Sequence, residues 1–144
     1  IMYQEQIMQI LHELGGISMA DALTTIKAIG KKNDSLIQEM VGEMDTELLG
    51  AQSALDRIID MAAADATPSV DASNQVYQYK TMAVLGAIRT VEKAISVVGG
   101  AAYFKNAGLE RNLRDVQAAR FHPFQERKQY VFSGRIALGL DPVG

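Results

Sequence analysis

The chain has 144 residues, 48% hydrophobic and 22% charged, with a formal net charge of −3, which is the size and make-up of one domain with a real core. It has no cysteine, so disulfides and thiolate metal sites are excluded, and its lysines and arginines are scattered rather than gathered into a nucleic-acid footprint. No apolar run approaches the roughly 20 residues needed to span a bilayer and no secretory signal opens the chain, so a soluble, cytoplasmic protein without membrane or nucleic-acid partners is expected.

Ile1 ahead of Met2 points to a trimmed or truncated chain. A first helix is predicted over residues 2–14, where Ile7, Ile10, Leu11 and Leu14 share one face, and Gly15-Gly16 stops it. Ser18 is a candidate N-cap for a second helix over 19–29, with Ala22, Leu23, Ile26 and Ile29 as its stripe. A turn at residues 30–34 then leads, with Asn33 or Asp34 as N-cap, into a long helix. Its stripe is Ile37, Met40, Val41, Met44, Leu48, Leu55, Ile58, Ile59 and Ala62, a period held for about 30 residues. Glu39, Glu43, Asp45, Glu47 and Asp56 between these positions read as a solvated acidic face.

Pro68 marks the loop that ends this helix. Asp71 or Ser73 is expected to start the next, which runs to Val98 with an unusually wide apolar face from Val76 through Leu85, Ile88 and Ile95. Such a helix belongs at the centre of a bundle or at a subunit contact. Small residues at Ala83, Gly86, Ala87 and Ala94 would let neighbours approach closely. Gly99-Gly100 ends it. A short helix from Leu109 to about Ala119, a break at Pro123 and a last helix from Phe124 to Leu138 complete the chain. No strand pattern competes. The fold class predicted is all-α, an up-and-down four-helix bundle with short additional helices, in one domain over 1–144.

The chemistry-bearing residues are few. His12 and His122 are too isolated for a zinc site, and no metal is expected. Glu39 and Glu43 have the spacing of a di-iron helix, but the Glu-x-x-His pairs such a centre needs are missing. Gly99-Gly100 alone reads as a helix C-cap; its functional alternative is bare backbone that a flat or phosphorylated ligand can approach. Arg111, Arg114 and Asp115 read as a surface ion-pair set or as a brace for the turn. His122 is the best general acid/base candidate, because imidazole titrates near neutrality.

Taken together, Gly99-Gly-Ala-Ala-Tyr103, Leu109-Glu-Arg with Arg114-Asp115, Ala118-Ala-Arg-Phe-His-Pro123 and Gly134-Arg-Ile-Ala-Leu-Gly139 closely resemble the C-terminal helical domain of the acyl-CoA dehydrogenase superfamily. Asn33-Asp-Ser-Leu-Ile-Gln38 with Gly42-Glu43 is similar to the matching helix start in its flavin-dependent monooxygenase branch. The resemblance covers about residues 33–140; residues 1–32 diverge. It implies a four-helix bundle that assembles as a dimer or tetramer, with FAD bound between subunits. Gly99 and Gly100 would lie against the adenine–pyrophosphate part of a neighbouring subunit's cofactor, and Ser96 would take a position commonly held by glutamine. Two departures stand out. The place of a common catalytic glutamate is Pro123, with Glu126 three positions late, and the Arg-x-x-Phe motif that helps hold FAD is missing at residues 24–27. In the monooxygenase branch a histidine at the place of His122 faces the flavin.

The leading expectation is therefore an FAD-contacting and oligomerising domain, as a fragment or an unusually short chain. Its complete enzyme would oxidise an acyl-CoA α,β bond, while the isolated chain would be inactive. The alternatives are the same domain of a flavin-dependent monooxygenase, with His122 in proton transfer, and a stand-alone, non-catalytic helical module.

Overall fold

The computed structural model describes residues 34–64, 67–105 and 108–144. Among them are four α-helices and no strand: α1 (Asp34–Ala63), α2 (Val70–Val98), α3 (Leu109–Ala118) and α4 (Glu126–Ala137), with a 3₁₀ turn at Gly99–Tyr103. The fold is all-α, as the periodicity predicts. The helices expected over 2–14 and 19–29 lie outside the described residues, as do the Gly15-Gly16 stop and the Ser18 cap. No helix among the described residues is long and apolar enough to cross a membrane.

The chain runs up and down. α1 and α2 are antiparallel along their length. Their register sets Glu47 opposite Arg89 (2.8 Å) and Glu43 opposite Lys93, and each forms an ion pair across the two helices. These two glutamates, expected on a solvated face, reach across to the neighbouring helix instead, because the α1–α2 crossing brings cations opposite them. α3 and α4 then run back in series along α2: Leu109 packs beside Val97 and Val98 near one end of α2, while Ser133 of α4 donates to Asn74 Oδ1 near the other. α2 touches α1, α3 and α4, the central place its wide apolar face predicts.

α1 and α2 approach closely at Gly86. A Cβ built there would stand 3.0 Å from Ala51 Cβ and 3.1 Å from the Glu47 carbonyl. Ala51 and Ala54, not part of the predicted stripe, are therefore buried, while Leu55 and Ile59 are 51% and 55% exposed. The main core cluster is Met44, Ala94, Val97, Val98, Ala102 and Leu109, which clamps the C-terminal end of α2.

Two boundaries differ from expectation. α2 starts at Val70 because Ser69, directly after Pro68, is the N-cap; its Oγ accepts from the Ala72 N–H at 3.0 Å. α4 starts at Glu126 because Phe124 is drawn into an aromatic cluster with Tyr77 and Phe132, at ring-centroid distances of 4.9 and 5.8 Å, and Gln125 is extended.

Candidate functional site

The end of α2 is built from small residues and backbone. Gly99 has φ 73° and donates its N–H to the Ile95 carbonyl, closing the helix. That left-handed conformation strains any residue with a Cβ, so glycine at 99 has a reason internal to the chain. Gly100 has none: a Cβ there would meet nothing within 4 Å. Its bare backbone faces open space, and a second molecule can come close without moving any side chain.

The turn that follows is held from below. Ala102 is 0% exposed and Leu109 is buried beside it. The Phe104 N–H donates to the Ala101 carbonyl at 3.2 Å. The next two side chains point the other way: Tyr103 is 62% and Phe104 67% exposed. Two aromatic rings in water beside an open glycine form a surface suited to a flat ligand or a neighbouring subunit. Ser96 lies one turn back on α2 and is exposed. Its hydroxyl donates to the Glu92 carbonyl at 2.9 Å, so its proton is committed within the helix until a stronger acceptor takes it.

On α3, Arg111 and Arg114 both reach Asp115 at 3.3 Å, and Arg114 lies 3.9 Å from Glu110. All of these side chains are solvated, so the pairs dress the helix surface and add little stability.

His122 sits in a different place. Its ring is exposed, with Nδ1 2.9 Å from the Pro123 carbonyl. The turn around it is fixed by Lys80 of α2, whose ammonium donates to the carbonyls of His122 (2.9 Å), Phe124 (3.3 Å) and Ala119 (3.5 Å). One cation thus serves three carbonyls at and beyond the end of α3, where the helix dipole also favours positive charge. Across the same break Arg120 donates to Gln117 Oε1 at 3.0 Å and pairs with Glu126 at 3.2 Å. Glu126 is therefore tied into the turn. It also holds the Tyr130 phenol above its ordinary range, second to desolvation of that ring.

Within one chain these residues make two sites. Ser96, Gly99 and Gly100 lie together. Lys80, which holds the His122 turn, is about 28 Å from Gly99 along α2 at about 1.5 Å per residue. Any molecule that met both would have to be long or be shared between subunits. Sequence reasoning gives no role of their own to three residues here. Lys80 is a lone cation within the apolar stretch from Val76 to Ala87, a position that signals a carbonyl partner on a neighbouring segment. Tyr103 and Phe104 are adjacent aromatics just after a glycine stop, where they cannot both turn inward.

No curated protein and no solved structure matches the chain. A family model does: that of the acyl-CoA dehydrogenase C-terminal domain, over residues 19–127. The match takes in α1, α2, the glycine-pair turn, α3 and the His122 break, and over that span the chain belongs to the family of acyl-CoA dehydrogenase C-terminal domains.

Proposed function

We propose that the chain is a single helical domain that forms one wall of an FAD site and assembles with further copies of itself, as part of a flavoenzyme that oxidises acyl-CoA at the α,β bond. The observation that carries this reading is the open backbone at Gly100, for which the fold itself gives no reason. The adjoining aromatics Tyr103 and Phe104 and the rigid seat under Ala102 support it. In the complete enzyme the flavin would supply hydride acceptance. The role of this chain is to hold bare backbone and exposed aromatic rings against the nucleotide part, with Ser96 able to redirect its hydroxyl. Exposed Leu49, Leu55 and Ile59 on α1 support assembly, since they offer apolar area along one helix.

The test is a titration of FAD with the chain, followed by quenching of flavin fluorescence. Binding on the order of tens of micromolar, lost in Gly100→Val with helicity unchanged, is the expected result. Equal quenching by both proteins removes the glycine pair from the site.

A second reading has its own observation. Pro123 stands where the resemblance puts a glutamate, Glu126 is bound to Arg120, and the His122 ring is exposed on a turn pinned by Lys80. This favours proton handling by His122, as in a flavin-dependent monooxygenase. In the complete enzyme, His122→Ala that leaves acyl-CoA oxidation unchanged would make His122 structural.

A further inference from the structure

A groove of about 1140 Å³ lies at the end of α2 far from the glycine pair, where the start of α2, one face of α4 and residues 142–144 meet. Its apolar wall carries the aromatic cluster of Tyr77, Phe124 and Phe132. Its rim carries Arg127, Lys128 and Arg135. Among the described residues no aspartate or glutamate side chain lines it, so a cluster of three cations sits on a chain whose net charge is −3. Arg135 is partly engaged, donating from Nε to the Asp141 carbonyl. Arg127 and Lys128 are exposed and have no carboxylate partner among the described residues. Ser69 and Val70 also border the groove, so the positive end of the α2 dipole adds to the same field.

We infer that this groove binds an aromatic anion, a flat ring system carrying a carboxylate or sulfonate. The ring system lies against Tyr77, Phe124 and Phe132, where stacked and edge-on contacts replace water. The anion meets Arg127 and Lys128 at the mouth; the planar guanidinium matches a carboxylate or sulfonate edge and the ammonium adds charge. A neutral arene would leave Arg127 and Lys128 without a partner, and a bare inorganic anion would leave the aromatic wall wet. The ligand must therefore have both halves. Phe124 belongs to the turn whose carbonyls Lys80 holds, so occupancy of the groove bears directly on the segment that carries His122.

The experiment is calorimetric titration of the whole chain with naphthoate, with naphthalenemethanol as the neutral counterpart. Naphthoate is expected to saturate, to bind at least about tenfold more tightly than the alcohol, and to lose about tenfold in the double variant Arg127→Gln/Lys128→Gln. Both replaced side chains are exposed, so circular dichroism of that variant should match the parent. If it does not, the parent alone decides: raising salt from about 0.02 to about 0.5 M must weaken naphthoate binding several-fold. No heat of binding up to about 1 mM naphthoate overturns the inference. So does equal affinity for acid and alcohol, or an affinity indifferent to salt or to the loss of both cations.

Discussion

The close crossing of α1 and α2 at Gly86 gives the sharpest stability prediction. At Gly86 an added Cβ would be 3.0 Å from Ala51 Cβ, 3.1 Å from the Glu47 oxygen and 3.3 Å from the Ala51 nitrogen. Two of the three are backbone atoms of α1, and none is the end of a flexible side chain. Relief requires α1 and α2 to move apart where Glu47–Arg89 and Glu43–Lys93 pair across them. Two effects compete in Gly86→Ala. Replacing a mid-helix glycine gains about 1 kcal/mol of helix propensity, while overpacking a tight contact costs about 1–3 kcal/mol. The crowding wins, for a net loss of about 1 kcal/mol, and Gly86→Val, with two more methyl groups and poorer propensity, loses about 3 kcal/mol. Gly42 and Gly50 in α1 are the controls, because a Cβ at either meets nothing within 4 Å. There the same change to alanine stabilises by about 0.5–1 kcal/mol. Urea unfolding followed by circular dichroism reads all four variants, and each kcal/mol should also move the melting temperature by about 2–4 °C. If Gly86→Ala stabilises as much as Gly42→Ala, the helices do not meet at Gly86 and the packing account fails.

The glycine pair itself should divide. Gly99→Ala forces a Cβ onto φ 73° and should cost about 1–2 kcal/mol, whereas Gly100→Ala should leave urea unfolding unchanged. Lys80→Met removes the donor from three carbonyls, and a stability loss of about 1–2 kcal/mol is expected, together with large shifts in the His122 ring signals by NMR; unchanged His122 signals would mean that the turn holds itself. Tyr130 adds a dependence on alkaline pH. Its phenol is raised above 10.0 by desolvation and by Glu126, so the stability tied to its neutral form is present below that value and lost as pH rises through the raised one. Tyr130→Phe should flatten the alkaline end of the unfolding curve slightly, the ring being half exposed; an identical curve would show no linkage.

How much of this was legible beforehand follows from what each pattern encodes. The period of Ile37, Met40, Val41 and Met44 announced α1, and the long apolar face announced α2 as the central helix, because both signals depend only on which residues avoid water. The Gly99 stop was legible for the same local reason, a helix end that needs a left-handed residue. The burial of Ala51 and Ala54 in place of Leu55 and Ile59 was not, since it depends on where Gly86 lets the two helices cross. The pairing of Glu43 and Glu47 with α2 failed for that reason too: acidic residues at helical spacing look solvated until a partner helix brings cations opposite them. In the candidate site, sequence order picked out Ser96, Gly99, Gly100 and His122, but it could not place Lys80 behind the His122 turn. Nor could it show that His122 and the glycine pair lie far apart along α2, because both are judgements about distance between segments.

The central claim, that the glycine-pair corner faces a flavin nucleotide, is tested most directly by amide chemical-shift mapping of the labelled chain during addition of FAD. Shifts concentrated on Ser96, Gly99, Gly100, Tyr103 and Phe104, and absent in Gly100→Val, are the predicted result. Shifts confined to other parts of the chain, or none at a saturating concentration, would contradict it.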